Sequence, residues 1–194
     1  MSSIKLIITF LNLPRLLPAI LLLLFFIDDC KLDIAVNKKH HLCRLPLIGA
    51  FCYLMVFDKW FRNLFYYRIG KYKYFISFLA PPAPSFFIGT YAKIGKGFLV
   101  IHPYSTYVNV KSVGNNFTIR NNVTIGNNKG GVPVIGNNVT INVHSVVVGN
   151  IVIGDNVVIG AGTVLMKSVP SNCVVVGNPA SILRRNGVLV NEKL

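Results

Sequence analysis

The chain has 194 residues, room for one or two domains, and its 20 basic against 6 acidic residues give a formal charge of +14. That balance favours anionic partners such as acidic lipid or a phosphorylated ligand. No nucleic-acid-binding motif accompanies the charge, so nucleic acid is not an expected partner. The four cysteines, Cys30, Cys43, Cys52 and Cys173, show neither a CxxC pair nor metal-like spacing, so no metal site is expected. Cys52 and Cys173 lie among apolar residues and read as buried thiols, which fits a reducing compartment.

Residues 1–27 are very apolar, and Asp28-Asp29 end the run. The uninterrupted apolar stretch from Leu16 is only twelve residues, short of the roughly 20 that span a bilayer. Three readings stay open: a helix packed on its own domain or lying at a membrane surface, a spanning helix, and a signal peptide. No small-residue cleavage site follows the run. Residues 30–46 are polar and basic and read as a solvated loop, with His40-His41 beside Lys38 and Lys39. Residues 47–79 read as helical. Trp60, Phe61, Leu64, Phe65 and Ile69 recur at helical spacing with Arg62, Arg68, Lys71 and Lys73 interleaved. This is either a core-facing stripe with a basic outer face or a basic-aromatic surface that meets a membrane. Pro81-Pro82-Ala83-Pro84 then marks a boundary. Residues 1–84 are thus expected to form an α-helical, apolar and basic N-terminal domain.

From Ile88 to about Gly177 the sequence repeats every six residues. Ile88, Ile94 and Val100 share a phase. After one extra residue Val113, Ile119 and Ile125 resume it. After four more, Ile135, Ile141, Val147, Ile153, Ile159 and Leu165 continue it. Seven of these twelve are followed directly by Gly. Four positions after the aliphatic residue a small or β-branched one recurs: Ala92, Val123, Val139, Ser145, Val157, Thr163 and Val169. A period of six fits neither strand alternation nor a helix. Short strands joined by corners of Gly and Asn fit it, because both residues tolerate positive φ. Three strands make a triangular turn, and stacked turns make a β-solenoid.

This pattern resembles the hexapeptide-repeat acyltransferases. The segment Phe61-Arg62-Asn63-Leu64-Phe65-Tyr66-Tyr67-Arg68-Ile69-Gly70, followed by the repeats, is similar to the serine acetyltransferase family, above all its members from surface-polysaccharide synthesis. The resemblance implies a mainly β fold, a left-handed parallel β-helix over residues 85–180, preceded by the helical domain. A C-terminal tail, 181–194, follows and is expected to be loose after Asn186. It also implies acetyl-CoA as co-substrate and a homotrimer or larger assembly whose sites lie between chains.

His102, in Val100-Ile101-His102-Pro103, matches the family's catalytic histidine and falls at the one-residue slip of the repeat. An imidazole that titrates near neutrality suits the base that takes a hydroxyl proton during acyl transfer. The Gly177-Asn178-Pro179-Ala180 sequence resembles the family's coenzyme A-holding segment. Gly160, Ala161, Gly162 and Thr163 would let the pantetheine arm lie along the backbone, and Lys167, Arg184 and Arg185 would meet the phosphates. Gly177, Pro179 and Ala180 complete that set. His144, two turns along the same face as His102, and Asp58, brought in from the helical domain, are candidate substrate contacts. The loop from Asn127 to Val134 either covers a ligand or is a surface excursion.

Two positions depart from the serine acetyltransferase pattern. Ile101 stands where the family has an aspartate, and Val132 where it has a second histidine. The expected activity is O-acetyl transfer to a hydroxyl with a single histidine as base. The acceptor is either L-serine or a sugar of a polysaccharide precursor. The family name favours the former and the two departures favour the latter. The rivals are a non-catalytic solenoid scaffold at a membrane and a membrane-bound binder of nucleic acid or lipid driven by the positive charge. The chain is expected in the cytoplasm, with membrane-surface contact through its N-terminal half.

Overall fold

The computed structural model describes residues 3–128 and 130–194. It divides into two units, Met1–Pro84 and Ser85–Leu194. The first holds five helices: α1 (Ser3–Leu11), α2 (Leu13–Phe25), α3 (Ile27–His40), α4 (Leu47–Phe57) and α5 (Lys59–Ile69), then a 3₁₀ segment, Gly70–Phe75. Its core forms around α4, whose residues Ala50 to Met55 are all buried and which packs against each of the other four helices. Helix α5 lays Phe61, Leu64, Phe65 and Ile69 into that core, the stripe its spacing predicts. Phe65 meets Phe51 edge to face, with ring centroids 4.8 Å apart.

The polar stretch 30–46 is not a loop through most of its length, because α3 extends to His40. Cys30, Asp33, Ile34 and Asn37 point inward at helical spacing. Asp33 is tolerated there because Arg68 of α5 donates to it at 2.7 Å, with both side chains almost fully buried. Asp28 and Asp29 in the first turn and Lys38, Lys39 and His40 in the last suit the helix dipole. Between α1 and α2 the chain turns through 77°. Asn12 Nδ2 donates to Ile8 O at 2.8 Å at the bend, and Pro14 starts the next helix. Among the described residues no single helix is long and apolar enough to cross a membrane.

The second unit is a parallel β-helix with three faces. The first stacks Phe86–Ile88, Thr106–Val108, Thr124–Gly126, Val146–Val148 and Val164–Leu165. The second stacks Lys93–Ile94, Ser112–Val113, Val134–Ile135 and Val152–Ile153. The third stacks Leu99–Val100, Thr118–Ile119, Thr140–Ile141, Val158–Ile159 and Cys173–Val176. Of the twelve phased aliphatic residues, all but Ile88 are buried. The residues four positions on, from Ala92 to Val169, are buried as well.

The register revises the slip near His102. Val108 lies beside Ile88 and Ile125 on the first face. The coil therefore gains two residues between Val100 and Val108 and loses one before Val113. The first two coils also take large side chains where later coils have Val. Phe98 and Phe117 fill the inner corner with centroids 5.1 Å apart.

The corner between the second and third faces is a ladder. Asn116 Nδ2 donates to Asn138 Oδ1 at 3.0 Å, Asn138 to Asn156 at 2.9 Å and Asn156 to Asn172 at 2.9 Å. All four have positive φ, between 56° and 60°. Beside them Asn115, Asn137 and Asp155 accept backbone N–H groups of the preceding coil through Oδ1. Gly114 is required here for close approach: a Cβ on it would lie 2.7 Å from the Asn137 nitrogen and the Gly136 carbonyl carbon.

The tail is ordered rather than loose. Ser181–Arg185 pairs antiparallel with Cys173–Val176, and Val188–Lys193 pairs antiparallel with it in turn. Asn186 and Gly187, with φ of 49° and 81°, make the two-residue turn between them. The hairpin extends the third sheet beyond the last coil.

Candidate functional site

The corner between the third and first faces is where the candidate residues gather. Ile101 N donates to Ile119 O at 3.0 Å, which holds the chain in the sheet up to His102. His102 then turns with φ 46°, and Tyr104 N donates to its carbonyl at 2.7 Å. The two added residues are accommodated in this turn, which leaves the His102 side chain exposed. Thr106, buried just past the turn, secures it by donating to Tyr104 O at 3.1 Å and Arg120 O at 3.2 Å.

The corner continues coil by coil through backbone bonds. Asn122 N donates to Tyr104 O at 3.0 Å, His144 N to Asn121 O at 3.2 Å, and Gly162 N to Val143 O at 2.9 Å. Ser105, Asn122, His144 and Gly162 therefore form one column, with φ of 49°, 54°, 58° and 69°. His144 is two coils from His102 along the same corner, about 10 Å at the usual strand spacing. In the last coil Val164 N donates to Gly177 O at 3.1 Å, which sets Gly177, Asn178 and Pro179 against Ala161 and Gly162. All five are exposed. One corner thus carries His102 at one end and the small-residue turn at the other.

The cofactor candidates separate by role. Gly160 is needed by packing, since a Cβ there would meet Val176 at 2.8 Å, whereas around Gly162 no atom lies within 4 Å of the corresponding point. Thr163 is fully buried and donates to Gly160 O at 2.7 Å, so it braces the turn from inside. Ala180 follows Pro179 at the entry to the terminal hairpin. Lys167 donates to Leu194 O at 2.6 Å, and Arg185 pairs with Glu192. Arg184, on the same hairpin, is exposed.

Asp58 belongs to the helical unit and serves as a cap. Its buried carboxylate accepts from Trp60 N and Phe61 N, each at 2.9 Å, and from His41 Nε2 at 2.8 Å. The sequence reading of Asp58 as a substrate contact does not match this placement, because both carboxylate oxygens are occupied within the helical unit. His41, read as part of a solvated loop, is the partner of that cap.

The loop at 127–133 lies at the corner between the first and second faces, the far end of the first face from His102. Asn128 and Gly131 exchange backbone bonds of 3.4 and 3.2 Å across its tip, and Asn127 Oδ1 accepts from Gly131 N at 3.2 Å. Lys129 lies outside the described residues. A cavity of about 480 Å³ lies elsewhere, among Asn156, Asn172, Cys173 and Gly187 near the hairpin. Burial pushes the Cys173 thiol above its ordinary value, and burial likewise pushes Cys30 up to about 12. Among the described residues no three metal-ligating side chains gather.

Arg120 was not singled out by the sequence. It follows the inward Ile119, and its backbone is held by a bond from its N to Ile141 O at 3.2 Å, so its side chain leaves the coil outward between Ile101 and Asn142. Its Nε is buried with no hydrogen-bond partner. The readable signal is that Gly usually follows the inward aliphatic residue, while this corner has Ile101, Arg120 and Asn142. The corner also holds no carboxylate. The two in the solenoid are Asp155, in the asparagine ladder, and Glu192, on the hairpin.

Residues 133–167 match the family described as bacterial transferase hexapeptide (six repeats). Over 95 residues the chain is 42% identical to the Escherichia coli (strain K12) protein named "Putative colanic acid biosynthesis acetyltransferase WcaB", covering 47% of this chain and 59% of that protein. Over 105 residues it is 36% identical to the serine acetyltransferase of Synechococcus elongatus, covering 52% and 43%. The chain spans about half the length of these curated relatives. Among solved structures, the serine acetyltransferase of Neisseria gonorrhoeae superposes with a TM-score of 0.66 at 26% identity, over 82% of this chain and 65% of that one. A serine acetyltransferase in complex with CoA superposes with a TM-score of 0.66 at 25% identity, over 81% and 69%.

Proposed function

We propose that this chain, a hexapeptide-repeat protein of the serine acetyltransferase fold, is an acetyl-CoA-dependent O-acetyltransferase with His102 as its base. The observation that carries the reading is the continuous corner that runs from His102, through Asn122 and His144, to Gly162 and the Gly177-Asn178-Pro179 turn. A thioester whose pantetheine arm lies along Ala161 and Gly162 would present its carbonyl toward the histidine end. His102 takes the proton of the acceptor hydroxyl as that oxygen bonds to the thioester carbon. The C–S bond then breaks, and the imidazolium returns its proton to the departing thiolate. The similarity to a CoA-bound serine acetyltransferase supports acetyl-CoA as the donor. A homotrimer, with each site shared between neighbouring chains, goes with this reading.

The acceptor that fits best is a sugar hydroxyl of a polysaccharide precursor. L-Serine carries an ammonium group that needs an anion beside it. Of the chain's six carboxylates, Asp28 pairs with Lys31, Asp33 with Arg68, Asp58 with His41 and Glu192 with Arg185. Asp155 accepts backbone N–H at a different corner, and Asp29 sits in the first turn of α3. A second copy of the same chain brings only the same six. Serine is the second reading, favoured by the names of several relatives.

Thiol release from acetyl-CoA tests both, with free and nucleotide-linked sugars in one series and L-serine in the other, beside His102→Ala. Turnover with sugars that vanishes in the variant supports the reading. Turnover with serine alone replaces the acceptor. Absence of coenzyme A binding rejects the enzyme in favour of a scaffold.

A further inference from the structure

The helical unit exposes an apolar surface that the acetyl-transfer chemistry does not use. Helix α1 buries only Thr9. Ile4, Leu6, Ile7, Ile8, Phe10 and Leu11 all face outward, the last two with 71% of their surface open. At about 100° per residue they occupy an arc of roughly 200°, about twice the stripe that a helix lays against a protein neighbour. Only the side with Lys5 and Thr9 is turned inward, where Lys5 Nζ reaches Tyr53 OH at 3.4 Å. Helix α2 adds Leu17, Leu21 and Leu24 along one exposed line and ends at Phe25, 84% open. Beside α1 runs an apolar groove of about 460 Å³, walled by Ile7, Leu11, Leu13, Leu45 and Cys52.

The aromatic and basic 3₁₀ segment adjoins this surface. Phe26, just past α2, contacts Tyr72 with centroids 5.8 Å apart. Around that contact Tyr74, Phe75 and Phe78 are exposed among Lys71 and Lys73. Residues 1–27 contain no acidic residue, and residues 1–84 hold eleven basic against four acidic.

We propose that the helical unit docks on an anionic lipid bilayer, with α1 and the exposed line of α2 immersed in the interface and the lysine-aromatic segment at headgroup level. Three observations choose lipid over a second copy of the chain. The exposed arc of α1 is too wide for one protein face. Aromatic residues and lysines rim the apolar area, as they do where a protein meets headgroups. The positive charge complements anionic lipid but repels another copy. The 77° bend between two short helices suits lying in the surface rather than crossing it. This inference does not rest on the acetyl-transfer reading.

The test is flotation of the full chain with phosphatidylcholine vesicles and with vesicles of phosphatidylcholine and phosphatidylglycerol at roughly 3:1. The full chain should float with the anionic vesicles, and at about 0.5 M salt binding should weaken without disappearing. Ile7→Glu with Phe10→Glu should cut the bound fraction at least tenfold, and Lys71→Glu with Lys73→Glu should cut it severalfold, each with the wild-type circular dichroism spectrum. Recovery of the wild type in the soluble fraction with both vesicle types overturns the proposal. So does flotation of the Ile7→Glu, Phe10→Glu protein equal to wild type. Loss of a larger assembly in that variant, with no flotation of wild type, assigns the surface to a second copy instead.

Discussion

The two corners that flank the third face of the solenoid share a backbone plan and differ in everything attached to it. At one, Asn116, Asn138, Asn156 and Asn172 repeat coil after coil, and each amide bonds to the next. At the other, the equivalent left-handed positions are taken by Ser105, Asn122, His144 and Gly162, and the chain before them is lengthened by two residues at His102. The first corner shows what the fold selects when only the turn matters: the residue that best tolerates positive φ and can also pair with its own neighbour. The second keeps Asn122 and Gly162 but places Ser105 and His144, which tolerate that φ less readily, in the same column. At that corner the imidazoles of His102 and His144 are both exposed. Local disagreement with the repeat marks chemistry.

Histidine replacement separates the corners most strongly. His102→Ala should lower kcat for acetyl transfer by about 10²–10⁴-fold, the usual contribution of a positioned base. The unfolding midpoint should hardly move, because the side chain is exposed. His144→Ala should lower kcat by less than about tenfold, as expected of a group outside the proton transfer. Steady-state rates and thermal unfolding of both variants check this. Equal losses from the two would make the corner a paired-histidine site and undo the single-base mechanism.

Glycine replacement probes the backbone of the same two corners. In Gly114→Ala the new Cβ would sit 2.6 to 2.7 Å from Asn137 and Gly136, against backbone that cannot retreat without separating coils. A loss of about 2–3 kcal/mol is expected, in the range of an overpacked interior. Gly162→Ala meets no atom within 4 Å and has only its φ of 69° to overcome, which costs about 1–2 kcal/mol. Gly126→Ala, a control at the remaining corner with open space and no positive φ, should stay within about 0.5 kcal/mol of wild type. Urea unfolding of the three orders them. If Gly162→Ala binds coenzyme A as the wild type does, the open space there is not the pantetheine path.

Much of the solenoid could be read from the sequence because its physics is periodic. An inward aliphatic residue every six positions, from Ile94 to Leu165, describes the core without any tertiary information. Asn-Asn pairs at fixed offsets describe one corner. Val108 escaped because two inserted residues and one deleted residue nearly cancel, so the phase looked shifted once. Helix α3 escaped for a different reason. Asp33 and Asn37 look solvated in a hydropathy reading, and only the fold brings Arg68 to Asp33. The terminal hairpin did carry a local signal, Asn186-Gly187 at its turn, which the charges around it obscured. Asp58 likewise stood directly before a helix, the place of an N-cap. At the candidate site His102 stood out at the slip of the repeat, whereas the small residues at 160–163 follow the repeat and were singled out only through the family resemblance. Arg120 was not legible, because a lone arginine reads as a solvated charge until its neighbours are known.

Side-chain replacement on the ladder gives a smaller effect. Asn138→Ala removes bonds to Asn116 and Asn156 and leaves alanine at φ 56°, at a cost of about 2 kcal/mol. Asn138→Gly relieves the φ and should cost about half as much. His144→Asn, by contrast, puts the preferred residue into the same backbone geometry at φ 58° and should leave stability unchanged or raise it by a few tenths, roughly 0.3 kcal/mol. A destabilised His144→Asn would show that the histidine has a structural role at its corner after all.

Arg120→Met is the finest probe of the contrast. At the asparagine corner Asn116, Asn138 and Asn156 each donate to the next coil, so their truncation removes a bond. At the histidine corner the Arg120 Nε is buried without one, so its replacement by an apolar chain of similar length removes a group that folding leaves unsatisfied. Stability should change by less than about 1 kcal/mol, and upward if at all. The consequence should appear in acceptor binding instead. The guanidinium leaves the coil one turn from His102 with no carboxylate at the corner to neutralise it, so an acceptor that carries a carboxylate or phosphate gains from it and a neutral sugar does not. KM for an anionic acceptor should rise by up to about tenfold with kcat little changed, while a neutral acceptor keeps both constants. A matched pair of acceptors, one glucose-based and one glucuronate-based, measured on wild type and Arg120→Met, decides the matter. An equal change for both would place Arg120 outside acceptor recognition and return it to the packing between coils.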